Sequence, residues 1–215
     1  MGLYPVLLQM ENRLAAVIGG GEVAFRKVRD LLEAGARVRV ISPELHEGLL
    51  ELNKDEDERL DLQRREYRPG DLEGVQIAFS ATNDSAVNRQ VFEEATERGI
   101  FLNSVDDPPN CSFIVPSFVR KGELILALST GGASPAMAAR LRRQLERCLP
   151  DNVAEILDAL RGARSLLIEE KQFQNLNSPE RGRILKTIVE DDQKIEGLLA
   201  AWRKGTMAPF LRSLM

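Results

Sequence analysis

The sequence predicts an α/β fold: a parallel-sheet domain with helices on both faces, then a small α+β segment, then a C-terminal helical domain. Three observations carry this. Apolar runs alternate with stretches of near-3.6-residue periodicity as far as Val105, with short connections between them. Two apolar runs after Pro109 follow one another with no helix between. From Pro150 onward the pattern is helical.

The first strand is "RLAAVI" (13–18), a continuous apolar run. Glycines follow, and then "EVAFRKVRDLLEAG" (22–35), where Val23, Val28, Leu31 and Leu32 recur at helical spacing and Gly35 ends the helix as a C-cap. "RVRVI" (37–41) alternates apolar and charged residues as a second strand. "NKDEDERLD" (53–61) reads as a solvated face and "LQRREY" (62–67) as a third strand, leading through the turn-rich "RPGDLEG" to a buried strand in "VQIAFSAT" (75–82). "SAVNRQVFEEATERG" (85–99) is a helix with Val87, Val91, Phe92 and Ala95 on one face and Gly99 as its stop; "IFLNSV" (100–105) is a further strand. "CSFIVPSFV" and "ELILALS", separated by "RKG", form a hairpin-like pair. "SPAMAARLRRQLERCL" (134–149) is a helix with Ser134 at the N-cap and Pro135 in the first helical position. The last helices are "VAEILDALRGARSLLIEEKQF" and, after the break "NLNSPE", "ILKTIVEDDQKIEGLLAAW", in which Ile184, Ile188, Ile195, Leu198, Leu199 and Trp202 share one stripe. The expected domains are 1–112, 113–149 and 150–215.

With 215 residues, 43% of them hydrophobic, the chain can bury a sizeable core. Its formal charge of −4 gives no general attraction for nucleic acid or an anionic membrane. The two cysteines, Cys111 and Cys148, form no CxxC pair; they are expected as free interior thiols, which fits a reducing cytoplasm. The start "MGLYPVLLQMENR" lacks a basic segment and is broken by Gln9 and Glu11, a poor signal peptide, and Val6 stands where myristoylation wants Ser or Thr. No apolar stretch approaches the ~20 residues that span a bilayer, so a soluble cytoplasmic protein with no membrane partner is expected.

"VIGGGEVAFRK" contains Gly19, Gly20, Gly21, Glu22, Val23 and Ala24, a GxGxxA form of the dinucleotide fingerprint set between a strand and a helix. Gly19 permits the tight turn, Gly21 lets backbone N–H groups approach a pyrophosphate, and Ala24 keeps the helix close to the sheet. The helix N-terminus adds positive potential. The parallel-sheet domain is thereby a Rossmann-type one. The acid that usually holds the ribose hydroxyls at the end of the second strand is absent, Ser42 and Pro43 standing there, and no arginine follows directly to receive a 2′-phosphate. NAD is the expected cofactor, with Ser42, Pro43 and nearby backbone at the adenosine ribose.

Tyr4 has Leu8, and Tyr67 has Asp71, where a short-chain dehydrogenase needs lysine, so that chemistry is excluded. His46 follows the second strand, on the adenosine side, and reads as a surface histidine. Cys111, Cys148 and His46 do not assemble a zinc site, and no metal ligands are expected. Near the nicotinamide end stands "NSVDDPPNCSF" (103–113), with Asn103, Asp106 and Asp107. Two adjacent carboxylates beside a cleft of low dielectric repel each other and can raise one pKa towards a working range. An ordinary turn before Pro108 and Pro109 accounts for the same aspartates.

The motifs "VIGGGEVAFRKVRDLLEAGARVRVISP", "FSATND", "NSVDDPPNCSFIVPS" and "LALSTGGASP", in this order and spacing, closely resemble the precorrin-2 dehydrogenase/sirohydrochlorin ferrochelatase module of sirohaem synthases. The resemblance covers about residues 1–150; the later helices match in length and character. It implies NAD-dependent removal of two hydrogens from precorrin-2 to give sirohydrochlorin and, in bifunctional members, insertion of ferrous iron to give sirohaem. By position the family's catalytic aspartate falls on Asp106; Asp107 stands where relatives often carry a small residue. Thr82, Asn83 and Asn103 join the cofactor-binding set.

The tetrapyrrole's eight carboxylates, implied by that resemblance, need cationic or N–H-rich surroundings. Residues 113–148 carry Arg120, Lys121, Arg140, Arg142, Arg143 and Arg147 against Glu123 and Glu146. "STGGASP" sets hydroxyls and flexible backbone before a helix N-terminus, which makes Ser129, Thr130 and Gly132 the substrate-side candidates. The resemblance further implies a homodimer built through 113–149, the dimerisation segment, with each site completed by the partner chain. It leaves open whether iron insertion accompanies the dehydrogenation, since the methyltransferase domain of fused members is absent and some relatives only dehydrogenate. An NAD-sensing regulatory module without catalysis is the reading from another class, and it gives Asp106 no special role.

Overall fold

In the computed structural model, which describes residues 2–55, 58–105 and 107–215, the chain forms two compact units, Gly2–Val115 and Pro116–Met215. The first holds β1 (Leu14–Ile18), α1 (Glu22–Glu33), β2 (Arg37–Ile41), α2 (Glu47–Asp55), β3 (Leu60–Gln63), β4 (Ile77–Ser80), α3 (Ser85–Arg98) and β5 (Phe101–Ser104). The sheet runs in the order β3-β2-β1-β4-β5 with every pairing parallel. This is the predicted Rossmann-type arrangement. Its strand order reverses between β1 and β4, the place where such sheets bind ligands.

Both faces of the sheet are covered, which is why its central strands read as unbroken apolar runs. On one face Ala15, Val17, Val38, Val40, Ile77 and Phe79 meet Ala24, Val28, Leu31 and Leu32 of α1 and Leu49 of α2. On the other, Ala16, Ile18, Ile41, Ala78 and Leu102 meet Val91 and Ala95 of α3. Each fully buried aliphatic side chain contributes about 1.5–3 kcal/mol. Within α1, Ala24 rather than Val23 takes the core position; Val23 is half-buried. The helix closes at Ala34, and Gly35 follows at φ +80, with the Ala36 N–H reaching back to Leu31 O.

The third strand lies two residues earlier than the expected start and stops at Gln63, paired from Val38↔Leu60 to Ile41↔Gln63. β3 is the sheet edge, and the chain must then travel past β2 and β1 to reach β4, so residues 64–76 leave the ladder. Arg65 binds both oxygens of Asp71 at 2.7 Å. Tyr67 enters the core and donates to Glu94 Oε2 of α3 at 2.5 Å; Gly70 N–H, Leu72 N–H and Arg98 Nε donate to the same carboxylate. Burial pushes the Glu94 carboxyl up, but these four donors outweigh it and hold it below its ordinary value. The same burial, with the Glu94 charge, holds the Tyr67 hydroxyl protonated.

The second unit holds a hairpin, β6 (Ser117–Lys121) and β7 (Leu124–Leu128), and then α4 (Pro135–Arg147), α5 (Val153–Glu169), α6 (Ser178–Val189), α7 (Asp192–Lys204) and α8 (Met207–Arg212). Gly122, at φ +58, opens the two-residue hairpin loop. β6 begins only after Pro116, which has no N–H for a ladder. Ser134 caps α4 by accepting the Met137 N–H at 3.2 Å. α4 buries Ala138 alone, leaving Met137, Leu141 and Leu145 exposed at i, i+4 and i+8. Cys148, expected inside, is exposed at the end of this helix.

The expected long final helix is two helices. Asp191 turns its carboxylate to the Gln193 N–H at 2.9 Å and starts α7 afresh, so the apolar stripe is broken. Ile184, Ile188, Leu198 and Leu199 are buried with Ala159, Ala163 and Leu167 of α5. Trp202 is 40% exposed and lies over α5 at Gly162, where a Cβ would come within 2.5 Å of the indole ring. Among the described residues no helix is long and apolar enough to cross a membrane.

Candidate functional site

The glycine loop leaves β1 at the strand-order reversal, and its three glycines meet three different constraints. Gly19 has φ +115, and a Cβ there would lie 2.6 Å from the carbonyl carbon of Ala81, just beyond β4. Its N–H is bonded to Ile41 O, and the Ala81 N–H to Ile18 O, so the turn is clamped from both sides. Gly20 faces Ser42, whose Oγ would stand 2.9 Å from an added Cβ. Gly21 has ordinary angles, φ −81 and ψ −170, and a Cβ there would meet nothing within 4 Å. It is the N-cap of α1 and provides no side-chain acceptor. The backbone donors of Glu22, Val23 and Ala24 therefore open a twelve-residue helix beside unfilled space, the arrangement that receives an anion. These residues fit the pyrophosphate of a dinucleotide.

On the β2 side, Ser42 is buried and donates its N–H to Gln63 O, while Pro43 is exposed. His46 does more than sit at the surface. Its N–H bonds Gly20 O at 2.7 Å, its ring stacks on Phe25 with centroids 5.1 Å apart, and its Nε2 lies 3.1 Å from Glu22 Oε2. Nδ1 accepts from the Gly48 N–H, which leaves Nε2 to donate to Glu22 in the neutral ring. The loop after β2 is thus fastened to the glycine loop.

On the β4 side, Thr82 Oγ1 accepts from the Asp84 N–H and its carbonyl accepts from Asn88 Nδ2. Asn83 between them is exposed. At the end of β5, Asn103 Nδ2 donates to Phe113 O at 3.0 Å, and Cys111 Sγ lies 3.2 Å from both N and O of Ser104. This clamp folds residues 107–115 back over the sheet, where Phe113 meets Phe79 edge-on at 5.5 Å. Burial pushes the Cys111 thiol up, opposed by the Ser104 N–H. Asp106 lies outside the described residues. Asp107 Oδ2 accepts from Asn110 Nδ2 at 2.7 Å, a side-chain bond across its own short turn.

Between α1 and this returning segment lies a cavity of about 510 Å³, lined by Val23, Lys27 and Asp30 on the helix side. Asn103, Asp107 and Cys111 line the other. Lys27 is half-buried, with Nζ 5.7 Å from the centre of the Phe79 ring. Burial holds its ammonium below the ordinary lysine value, Asp30 opposing, while burial pushes the Asp30 carboxyl up. The sequence reading passed over Lys27, the Asn103–Cys111 clamp and the Tyr67–Glu94 pair. Lysine at position 27 was visible in "EVAFRKVRD", on the same helical face as Val23.

In the second unit, Ser129 is exposed and accepts the Gly131 N–H at 3.1 Å; Thr130 Oγ1 exchanges hydrogen bonds with the N–H and carbonyl of Ser134. Gly132, at φ +88, has open space around it. The loop is therefore rigidly tied at Thr130 and open at Gly131 and Gly132. Of the cations, Arg142 pairs with Glu146 at 2.8 Å, and Arg140, Arg143 and Arg147 are exposed. Among the described residues no group of three or more His, Cys, Asp or Glu side chains could hold a metal ion.

Comparison with known proteins agrees with this geometry. A family of NAD(P)-binding domains matches residues 6–117, and the central segment of sirohaem biosynthesis proteins matches residues 121–147. Siroheme synthase 1 of Cronobacter sakazakii is 39% identical over 164 residues, 76% of this chain and 34% of that one. A siroheme synthase of Pseudomonas aeruginosa is 40% identical over 156 residues, 73% of this chain and 33% of that one. The chain thus spans about a third of the length of these curated relatives. The solved structure of SirC, a precorrin-2 dehydrogenase, superposes with a TM-score of 0.77 at 26% identity, over 99% of this chain and 98% of that one. With a glycine loop built for a dinucleotide and matches that run through both units, the chain belongs to the precorrin-2 dehydrogenase/sirohydrochlorin ferrochelatase family, the NAD(P)-binding module of sirohaem synthases.

Proposed function

We propose that this protein dehydrogenates precorrin-2 to sirohydrochlorin with NAD. The observation that carries the proposal is the likeness to a solved precorrin-2 dehydrogenase over nearly the whole of both chains; the glycine loop and the adjoining cavity support it. Bound NAD supplies an acceptor for the hydride removed from the substrate. The first turn of α1 holds the pyrophosphate through its free N–H groups. Ser42 and the backbone near Pro43 hold the adenosine ribose, and Thr82, Asn83 and Asn103 hold the nicotinamide end. Asp106 takes the proton that leaves the ring as the hydride departs, so that each turnover yields sirohydrochlorin, NADH and a proton. The role is assigned from the resemblance in the sequence and from the position of the aspartate three residues after Asn103.

The same carboxylate can accept the pyrrole N–H protons displaced when ferrous iron enters sirohydrochlorin, and we extend the proposal to that second reaction, with iron as substrate. Ser129, Thr130 and Gly132 bind acidic arms of the tetrapyrrole. The functional assembly is a homodimer in the cytoplasm: the exposed row Met137, Leu141 and Leu145 on α4 supports an apolar contact with a second copy. Anaerobic incubation with precorrin-2 and NAD tests the first activity, sirohydrochlorin being followed by its absorbance. Addition of ferrous iron tests the second. Formation of sirohydrochlorin is expected only with NAD present; NAD binding without any turnover would instead establish a sensing module.

A further inference from the structure

The cavity beside α1 is lined by the cation Lys27. Lys27 makes no ion pair among the described residues, although it is half-buried and its nearest ring neighbour, Phe79, offers only a weak attraction at 5.7 Å. A lysine ammonium in such a place loses hydration and recovers only part of it from the charge of Asp30. Of the described carboxylates on the same walls, Asp30 acts on Lys27 through its charge without forming an ion pair, and Asp107 is turned to its own loop. Asp30 lies 3.7 Å from Arg29, and Asp107 is bonded to Asn110 at 2.7 Å. Arg26, the other basic residue on this wall, stands one turn beyond Glu22 and reaches it at 3.7 Å, towards solvent. Among the described residues Lys27 is the lining cation that no ion pair holds.

The cavity is shared with Asn103, at the nicotinamide end of the proposed cofactor site, and with Val23, in the turn proposed to hold the pyrophosphate. Oxidised nicotinamide carries a positive charge, so an unpaired ammonium close by disfavours it unless an anion comes between them. We propose that Lys27 is a subsite for one carboxylate arm of the substrate, neutralised on binding and holding the macrocycle against the nicotinamide face. This rests on the tetrapyrrole reading above and deepens it: a carboxylate is acceptor-only, and the three donors of the lysine ammonium match it. The low ordinary charge preference that burial imposes on Lys27 is relieved when the carboxylate arrives.

The test compares wild type, Lys27→Met and Lys27→Arg for binding of sirohydrochlorin in the presence of NAD, and of NAD alone. Loss of a charge-assisted hydrogen bond weakens sirohydrochlorin by roughly 10–100-fold in Lys27→Met, while Lys27→Arg stays within about threefold and NAD affinity within about twofold. The octamethyl ester of sirohydrochlorin, which has no carboxylates, binds wild type and Lys27→Met alike, a result that general damage to the fold does not give. Unchanged sirohydrochlorin affinity in Lys27→Met overturns the subsite, as does an equal loss of NAD affinity, which would assign the lysine to the cofactor. Wild type that binds NAD but no sirohydrochlorin overturns the substrate reading and the subsite together.

Discussion

Gly19 and Gly21 stand two residues apart, and the same substitution in each should break different things. Alanine at 19 requires φ +115 of a residue with a Cβ and sets that atom 2.6 Å from the Ala81 carbonyl carbon, which belongs to backbone and cannot turn aside. Backbone strain of ~1–3 kcal/mol and overpacking of ~1–3 kcal/mol add to about 2–6 kcal/mol, or a fall in Tm of about 5–20 °C. Alanine at 21 keeps φ −81 and meets nothing within 4 Å, so it costs the fold only about 0.5–1 kcal/mol at the helix cap. Its methyl group does fill the space where a pyrophosphate must approach the first-turn N–H groups. Loss of one such bond, about 1.5–3 kcal/mol, weakens NAD at least ~10-fold. Thermal unfolding and NAD titration of both variants measure the contrast. Gly21→Ala binding NAD as wild type does, or Gly19→Ala melting with it, would refute the assignment of the loop.

Glu94→Gln should lose about 1–3 kcal/mol in urea unfolding at neutral pH, since three donors and a guanidinium are left with a weaker acceptor. Because folding holds that carboxyl below its ordinary value of 4.5, the stabilisation is complete above that pH and disappears as pH falls through the lower, folded value; equal stabilities at neutral pH would contradict it. Gly162→Val should push Trp202, the one tryptophan, off α5 towards water, seen as a red shift of emission; an unshifted spectrum would show that the helices do not meet there. Wild type should sediment as a dimer at micromolar concentration, and Leu141→Glu as a monomer; a monomeric wild type would remove the proposed assembly.

The sheet was legible where its strands carry unbroken apolar runs, because burial on both faces leaves that mark in the sequence without help from distant residues. β1, β4 and β5 follow from it; β2 follows from the alternation in "RVRVI", and the helix between Asp84 and Gly99 from its local caps. The segment 47–55 carries little local mark of α2, since the charges of 53–61 begin inside it and Leu49 is its one buried side chain among the described residues. β3 was misplaced for a topological reason: the chain leaves the sheet edge after Gln63 and crosses towards β4, so the apolar Tyr67 serves Glu94, 27 residues away, rather than a strand. The final helix was read as one because Ile184 to Leu199 keep the helical period across the break. Only the cap at Asp191 reveals the restart. The glycine loop declared its chemistry in the sequence. Lys27 did not, because a lysine on a helix next to two arginines looks like solvated surface until the returning segment 107–115 is folded over it.

The central claim is that one acidic side chain completes a dehydrogenase site at the end of β5. Its most direct test is single-turnover oxidation of precorrin-2 by wild type and Asp106→Ala, alongside NAD affinity for each. A carboxylate acting as the base predicts a rate lower by about 10²–10⁴-fold with NAD affinity retained. An Asp106→Ala protein that forms sirohydrochlorin at the wild-type rate would contradict it.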